Sequence, residues 1–474
     1  MVMSESWLQK YNHPTSIVIF GGTGNLAETK LLPALLALYI KNVLPDSFRV
    51  IGLSRKKLSN EDYRSYVRQV VAGGNHSKSE SVIEDFCRRF YYVAGDFDDN
   101  QSYENVIKEL KDFDDELGQC TSKLFYLAVP PVFYKTIFKK LKTHEALNLC
   151  DEIGSWSRLL VEKPFGNDLA TAKELEKQLC DSFNDDQIYR IDHYLAKDAI
   201  ENIISLRFAN SILADSWNGR QIESITIKLF ETKDVSTRGS FYDGIGALRD
   251  VGQNHLLQIL ALLTMLPSNV HDASEIRQAR AKALGSLSKK VSNNVIRGQY
   301  AGYQDELGVE KDSVTETYFQ ITTEMESENW RGVPIVLESG KALSESKTEA
   351  LIVFKGLDKC SCDAESENHY HKNTLRLTFS PEQMIKLKMW FKKPGFDFTL
   401  EARDFTLSKS EAVDTYSPEA YEKVLFDCIA GNQTRFVSGE EVVAAWEFIG
   451  PILDNFDKNT LHIYEKGSTG PSSL

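Results

Sequence analysis

Long hydrophobic runs are missing from this chain of 474 residues. The most apolar stretch, Leu256–Leu266, is interrupted by Gln258 and falls well short of the roughly 20 residues a membrane helix needs, so it reads as a buried helix. Met1–His13 has neither an apolar core of signal-peptide length nor an Arg-rich transit pattern, and a cytoplasmic location is expected. Net positive charge is lacking too: 55 Lys+Arg against 68 Asp+Glu leaves −13. That excludes nucleic acid as the main partner and an anionic membrane surface as a docking site; any anionic ligand must be held by a local basic pocket. Cysteine is sparse and odd in number, with seven scattered residues (Cys87, Cys120, Cys150, Cys180, Cys360, Cys362, Cys428). A disulfide scaffold is excluded and a reduced compartment fits. There is no internal repeat and no low-complexity tract, and the Gly467–Leu474 tail is expected to fray. What remains is an ordinary globular composition, 42% hydrophobic and 26% charged, in a chain long enough for two large domains.

The apolar pattern divides the chain near residue 190, giving an expected coenzyme domain at 1–189 and an α+β domain at 190–474. In the first part, short continuous apolar runs alternate with helical segments: Ser16–Phe20, Phe48–Leu53, Tyr91–Ala94, Leu124–Ala128 and Leu159–Glu162, with Leu31–Ile40 as a strongly apolar helix. Strands apolar on both faces and separated by helices predict an α/β doubly wound, Rossmann-like domain with a parallel sheet. In the second part the period becomes two. Ile222–Phe230, Val314–Thr322, Thr348–Lys355, Leu375–Phe379 and Ile385–Phe391 predict a large, mainly antiparallel sheet.

Three segments have the residue types for chemistry. The first is Gly21-Gly22-Thr23-Gly24-Asn25-Leu26-Ala27, between the first strand and a helix. A diphosphate needs backbone without Cβ atoms and free N–H groups at a helix start, which a glycine turn supplies. The G-x-x-G-x-x-A spacing alone also fits a tight turn that binds nothing; strand, turn and helix in sequence favour a dinucleotide. The second strand ends in Leu53-Ser54-Arg55-Lys56-Lys57, with no acid before Glu61. NAD sites place a carboxylate there, whereas the Arg55 fork suits the 2′-phosphate of NADP, with Thr23 adding a hydroxyl. NADP is therefore expected, with NAD as a secondary coenzyme.

The second segment, Arg190-Ile191-Asp192-His193-Tyr194-Leu195-Ala196-Lys197-Asp198, gathers donors and positive charge suited to a phosphate monoester. His193 and Lys197 would share a face if the segment is helical; a solvated helix start fits the same pattern. The third, Arg249-Asp250-Val251-Gly252-Gln253-Asn254-His255, runs into the apolar helix. A histidine there is either a packing residue or a base that titrates near neutrality.

The order and spacing of these segments, with Lys30, Glu162-Lys163-Pro164-Phe165-Gly166, Gly340-Lys341-Ala342-Leu343, Lys392-Lys393-Pro394-Gly395 and Ala420-Tyr421-Glu422, resemble the glucose-6-phosphate dehydrogenase family over about His13–Pro471. The resemblance implies oxidation of glucose 6-phosphate at C1 to the lactone with hydride transfer to NADP, the first step of the oxidative pentose phosphate pathway. It implies His255 as the general base, Asp192 as the carboxylate orienting it, and Lys163 between substrate and nicotinamide. His193, Tyr194 and Lys197 match sugar-phosphate contacts; Glu231, Asp250 and Lys341 match other substrate-contacting positions. A homodimer or homotetramer built through the large sheet is implied as well. Departures from the family pattern are Ala196 and Asp198 in the His-Tyr-Leu turn, Ser346 (with Lys347 adjacent) and Ser380. Glu338 and Leu351 replace arginines that hold a second, structural NADP in animal members, so that site is not expected. A dual-coenzyme or broader hexose-6-phosphate dehydrogenase, or a non-catalytic sugar-phosphate-binding relative, are the alternatives; the latter typically loses the base or its carboxylate, both present here.

Cys360-Ser361-Cys362 and His369-Tyr370-His371 bring two thiols and two imidazoles into one loop, but their spacings are wrong for common zinc motifs. No metal is expected.

Overall fold

The computed structural model describes residues 11–73, 79–146, 154–267, 269–290, 295–356, 371–408, 416–456 and 460–471. Two compact units emerge. One comprises residues 1–166, 170–196 and 416–439; the other comprises 167–169, 197–415 and 440–474.

In the first unit, strands β1 (Thr15–Phe20), β2 (Phe48–Ser54), β3 (Phe90–Ala94), β4 (Ser122–Leu127), β5 (Ser157–Val161) and β6 (Ile188–Ile191) form a parallel sheet. The order β3-β2-β1-β4-β5-β6 is extended beyond β6 by the antiparallel pair of residues Phe436–Val437. This is the doubly wound order, and its reversal falls between β1 and β4. β1, β2 and β4 are buried along their whole length, which is why they read as unbroken apolar runs. The helix Leu32–Ile40 packs into the same core, and so does Ala420–Ala430, through Val424, Leu425 and Cys428.

Among the described residues, the second unit holds nine strands. Those labelled are β7 (Ile222–Phe230), β8 (Val295–Tyr300), β9 (Tyr318–Thr323), β10 (Ile335–Gly340), β11 (Lys347–Phe354), β12 (Thr374–Ser380), β13 (Met384–Lys392) and β14 (Leu400–Ser408). They run β14-β13-β12-β11-β7-β10-β9-β8, followed by Leu461–Tyr464. Two neighbours are parallel, β7 with β10 and β8 with Leu461–Tyr464; the others are antiparallel.

Several sequence expectations need correction. The strand predicted at Val314–Thr322 begins only at Tyr318, because the carbonyls of Glu316 and Thr317 accept from Ala247 and Lys341 outside the ladder. Residues 192–197 form turns, and the helix starts at Asp198 with Lys197 as its N-cap, so His193 and Lys197 do not share a helical face. Of the tail expected to fray, residues 467–471 are described, and there Ser344 N–H donates to the Ser468 carbonyl at 2.8 Å. Cys87 and Cys428 are buried free thiols and Cys180 is an exposed one, but Cys120 is disulfide-bonded, so the thiols are not all reduced. Cys360, Cys362 and His369 lie outside the described residues; the ring of His371 packs on Trp390 at 4.3 Å.

Candidate active site

Each unit gathers polar side chains at the carboxyl ends of its parallel strands. In the first unit the chain leaves β1 through Gly21, whose φ of +85° is open to glycine. A Cβ at Gly21 would lie 2.4 Å from the Ala128 carbonyl oxygen beyond β4, and one at Gly22 would lie 2.8 Å from Gly52 Cα. Side chains here would fill the cradle at the strand-order reversal, where doubly wound sheets take dinucleotides. Gly24 N–H donates to the Gly21 carbonyl at 2.8 Å and closes the turn; the chain then passes through Asn25 and Leu26 into Ala27–Leu31. Thr23 shares a hydrogen bond with Ser54 at 2.8 Å, and Ser54 another with Tyr92 at 2.8 Å, which ties the turn to the end of β2. Arg55 follows Ser54 and is exposed. The turn therefore fits a dinucleotide diphosphate, with a guanidinium on the neighbouring strand end.

Two strands further along, β5 and β6 pair with Val161 opposite Arg190. That register carries Lys163 and Asp192 out of adjacent strands. Asp192 is buried and accepts from Tyr194 N–H at 3.0 Å, which fixes the turn that carries His193 and Tyr194. The His193 ring lies 6.4 Å from that of Tyr421. Beside Lys163, the Glu162 carboxylate accepts from the Tyr126 hydroxyl at 2.6 Å, and the Glu162 carbonyl accepts from Tyr134 at 2.9 Å. Burial pushes the Glu162 carboxyl up to about 7, against the hydrogen bonds of Tyr126 and Tyr421.

In the second unit, the parallel pair β7–β10 ends with Phe230 opposite Gly340, so Glu231 and Lys341 leave side by side. Lys341 Nζ is 2.5 Å from a Glu231 carboxylate oxygen and 3.7 Å from one of Asp250. Tyr464 donates to the Lys341 carbonyl at 2.8 Å. Asp250 and His255 both sit on Leu248–Leu256, which pairs i→i+5 and leads directly into the buried helix Leu257–Thr264. Among the described residues this wide pairing occurs there and at Ala27–Leu31; such π segments are frequent at functional sites. His255 is 2% exposed.

The structure thus brings Glu231, Asp250 and Lys341 together in one unit, and the glycine turn, Arg55, Lys163 and Asp192–Tyr194 to one sheet edge in the other. Two carboxyls, the partly buried Glu162 and the buried Glu316, escape sequence reasoning. Glu162 is visible there only as a flank of Lys163, and Glu316 takes an outward position in what reads as an alternating strand.

A doubly wound unit with a glycine turn, joined to an α+β unit with its own carboxylate–lysine cluster, has the features of a dinucleotide-binding protein. Residues 18–202 match the glucose-6-phosphate dehydrogenase NAD binding domain, and residues 204–474 match the C-terminal domain of the same family. Glucose-6-phosphate 1-dehydrogenase of Chlamydia pneumoniae is 36% identical, over 97% of this chain and 93% of that protein. The enzyme of Cyberlindnera jadinii is 35% identical over 97% and 93%. A solved glucose-6-phosphate dehydrogenase in complex with its substrate superposes with a TM-score of 0.90 at 34% identity, covering 98% of this chain and 96% of that one. The chain belongs to the glucose-6-phosphate dehydrogenase family.

Proposed function

We propose that this protein oxidises glucose 6-phosphate at C1 to 6-phosphogluconolactone with NADP as the preferred coenzyme. This is the entry step of the oxidative pentose phosphate pathway, here carried out in the cytoplasm. The observation that carries the reading is the survival of the full residue set in a family member: Asp192, His255 and Lys163 are present, and Glu231, Asp250 and Lys341 form one ion-paired cluster. A non-catalytic relative would have no reason to retain them.

The chemistry divides simply. Bound NADP would supply the acceptor for the C1 hydride. The glycine turn Gly21–Leu26 holds the diphosphate, and Arg55 pairs with the 2′-phosphate. His193, Tyr194 and Lys197 bind the sugar phosphate, while Lys341, Glu231 and Asp250 orient the sugar hydroxyls. Lys163 orients the sugar toward the nicotinamide. His255 takes the C1 hydroxyl proton as the C1–H bond breaks and the C1 carbonyl forms. Asp192 orients the imidazole and stabilises the imidazolium. The buried position of His255 keeps water from competing for that proton.

The test is an absorbance assay at the reduced-nicotinamide band with glucose 6-phosphate and either coenzyme. His255→Asn is expected to lower kcat by on the order of 10²–10⁴ while glucose 6-phosphate binding is kept. An unchanged kcat removes His255 from its role, and a wild-type protein without turnover removes the reading.

A further inference from the structure

Glu316 is a buried carboxyl without a role in the chemistry above. It is 4% exposed and lies just before β9, in the stretch that joins the helix carrying His255 to the strand end carrying Lys341. Leu248 N–H donates to Glu316 Oε1 at 3.0 Å, and Ala247 N–H donates to the Glu316 carbonyl at 3.0 Å. One residue on, Lys341 N–H donates to the Thr317 carbonyl at 2.9 Å. Gly246 makes room for this arrangement: its φ is +76°, and a Cβ there would lie 2.3 Å from both Glu316 carboxylate oxygens. The loop before it is held to the same stretch, with Gly244 N–H donating to Thr315 Oγ1 at 2.9 Å.

The first amides of a helix have no partner within it, and a carboxylate there satisfies one of them and favours the positive end of the dipole. Here the capped segment is Leu248–Leu256. Its far end is also fixed, because it continues into Leu257–Thr264, whose last carbonyls are taken by buried side chains. Trp217 donates to the Leu263 carbonyl at 2.7 Å, Trp330 to that of Thr264 at 2.9 Å, and Arg207 to that of Met265 at 2.7 Å. The segment that carries Asp250 and His255 is thus hydrogen-bonded to its surroundings at both ends.

Building on the dehydrogenase reading, we propose that Glu316 is a positioning residue for C1 oxidation: by capping the helix at Leu248 it fixes the register of Asp250 and His255 relative to Lys341. The groups facing its carboxyl are the guanidiniums of Arg249 and Arg297, and the hydroxyl of Tyr242 donates to its backbone carbonyl at 3.4 Å. Burial holds the Glu316 carboxyl up at about 7; a carboxyl oxygen accepts a hydrogen bond in either protonation state.

Reach, rather than charge, is the property to test. Glu316→Gln keeps an oxygen at the same distance; Glu316→Asp keeps the charge but is one methylene too short; Glu316→Ala has neither. Glu316→Ala and Glu316→Asp are expected to lower kcat by about tenfold or more, the scale of sub-ångström misplacement of reacting groups, and to shift the acid limb of the kcat/KM–pH profile. Glu316→Gln should restore most of both. Hydrogen exchange at Leu248 should be faster in Glu316→Ala and Glu316→Asp, and close to wild type in Glu316→Gln. Faster exchange at Leu248 with wild-type kcat and pH profile overturns the proposal, as does a Glu316→Gln protein as impaired as Glu316→Asp. A wild-type protein inert towards glucose 6-phosphate removes the dehydrogenase reading and this role together; wild-type turnover with an undisturbed Glu316→Asp profile removes this role alone.

Discussion

Glu162 is a partly buried carboxyl, and its environment decides when it ionises. Desolvation raises its carboxyl from 4.5 to about 7, more than the phenols of Tyr126 and Tyr421 and the charge of Lys163 lower it. A carboxyl raised on folding binds its proton more tightly in the native state. Its stability contribution is therefore full below the unfolded value and is lost as pH rises through about 7. Glu162→Gln cannot ionise but keeps an oxygen for the two phenols. The difference in Tm between Glu162→Gln and wild type is expected to move in favour of the variant between about pH 5 and about pH 8. Thermal melts across that range check this, and a difference flat with pH would mean that Glu162 does not titrate there. Arg55 is the opposite kind of residue, exposed and at the end of β2. Arg55→Ala is expected to raise KM for NADP by about tenfold or more, since it removes hydrogen bonds to a charged group, and to leave NAD nearly unchanged. Steady-state rates with each coenzyme decide it. A higher kcat/KM with NAD in the wild type would reverse the coenzyme assignment.

At the scale of elements, the helix Leu257–Thr264 is buried at every position, so its terminal carbonyls have no water to turn to. The Trp330 indole serves that of Thr264. Trp330→Phe keeps most of the apolar volume but orphans the carbonyl, and a loss of about 1–3 kcal/mol in chemical denaturation is expected. An unchanged midpoint would mean that another donor takes over. This helix was legible in the sequence because a segment apolar on all sides has nowhere to go but inside. The first five strands of the parallel sheet were legible for the same reason, as was the glycine turn, where positive φ and close approach leave little choice of residue. Strand direction was not legible. The period-two pattern of β7 is the same whether its neighbour is parallel or antiparallel, yet the parallel pairing with β10 is what brings Glu231 to Lys341 across more than a hundred residues of sequence. Residues 314–317 continued the alternation of β9 and so read as strand, although the Glu316 carbonyl accepts from Ala247 at the start of the segment that carries His255 and the Thr317 carbonyl accepts from Lys341. The chemistry of single segments was therefore visible, while the couplings between segments required the register of the sheets.

At the scale of the molecule, one part of the large sheet is left without a cover among the described residues. On β12, Leu375, Leu377 and Phe379 are buried. The same face continues onto β13 and β14, where Leu375 stands opposite Leu387, and Leu387 opposite Phe405, with Ile385 opposite Leu407. There it is open: Phe405 is 53% and Leu407 61% exposed, and Met389 and Phe391 are exposed beside them. The opposite face of the same two strands is polar, with Lys386 and Lys388 across from Thr406 and Asp404. A contiguous apolar face of this kind is costly in water and marks an interaction surface. We propose that a second copy of the chain covers it, the self-association expected from the family resemblance. The wild-type protein should then sediment at a multiple of the chain mass, as a homodimer or a homotetramer. Phe405→Asp with Leu407→Asp should give monomers, because two carboxylates would be buried without partners at the interface. The substitutions lie on solvent-exposed positions of β14, so the monomer should keep its secondary structure, which circular dichroism checks alongside sedimentation. A double variant that sediments like the wild type would place the interface elsewhere and leave this apolar face unexplained.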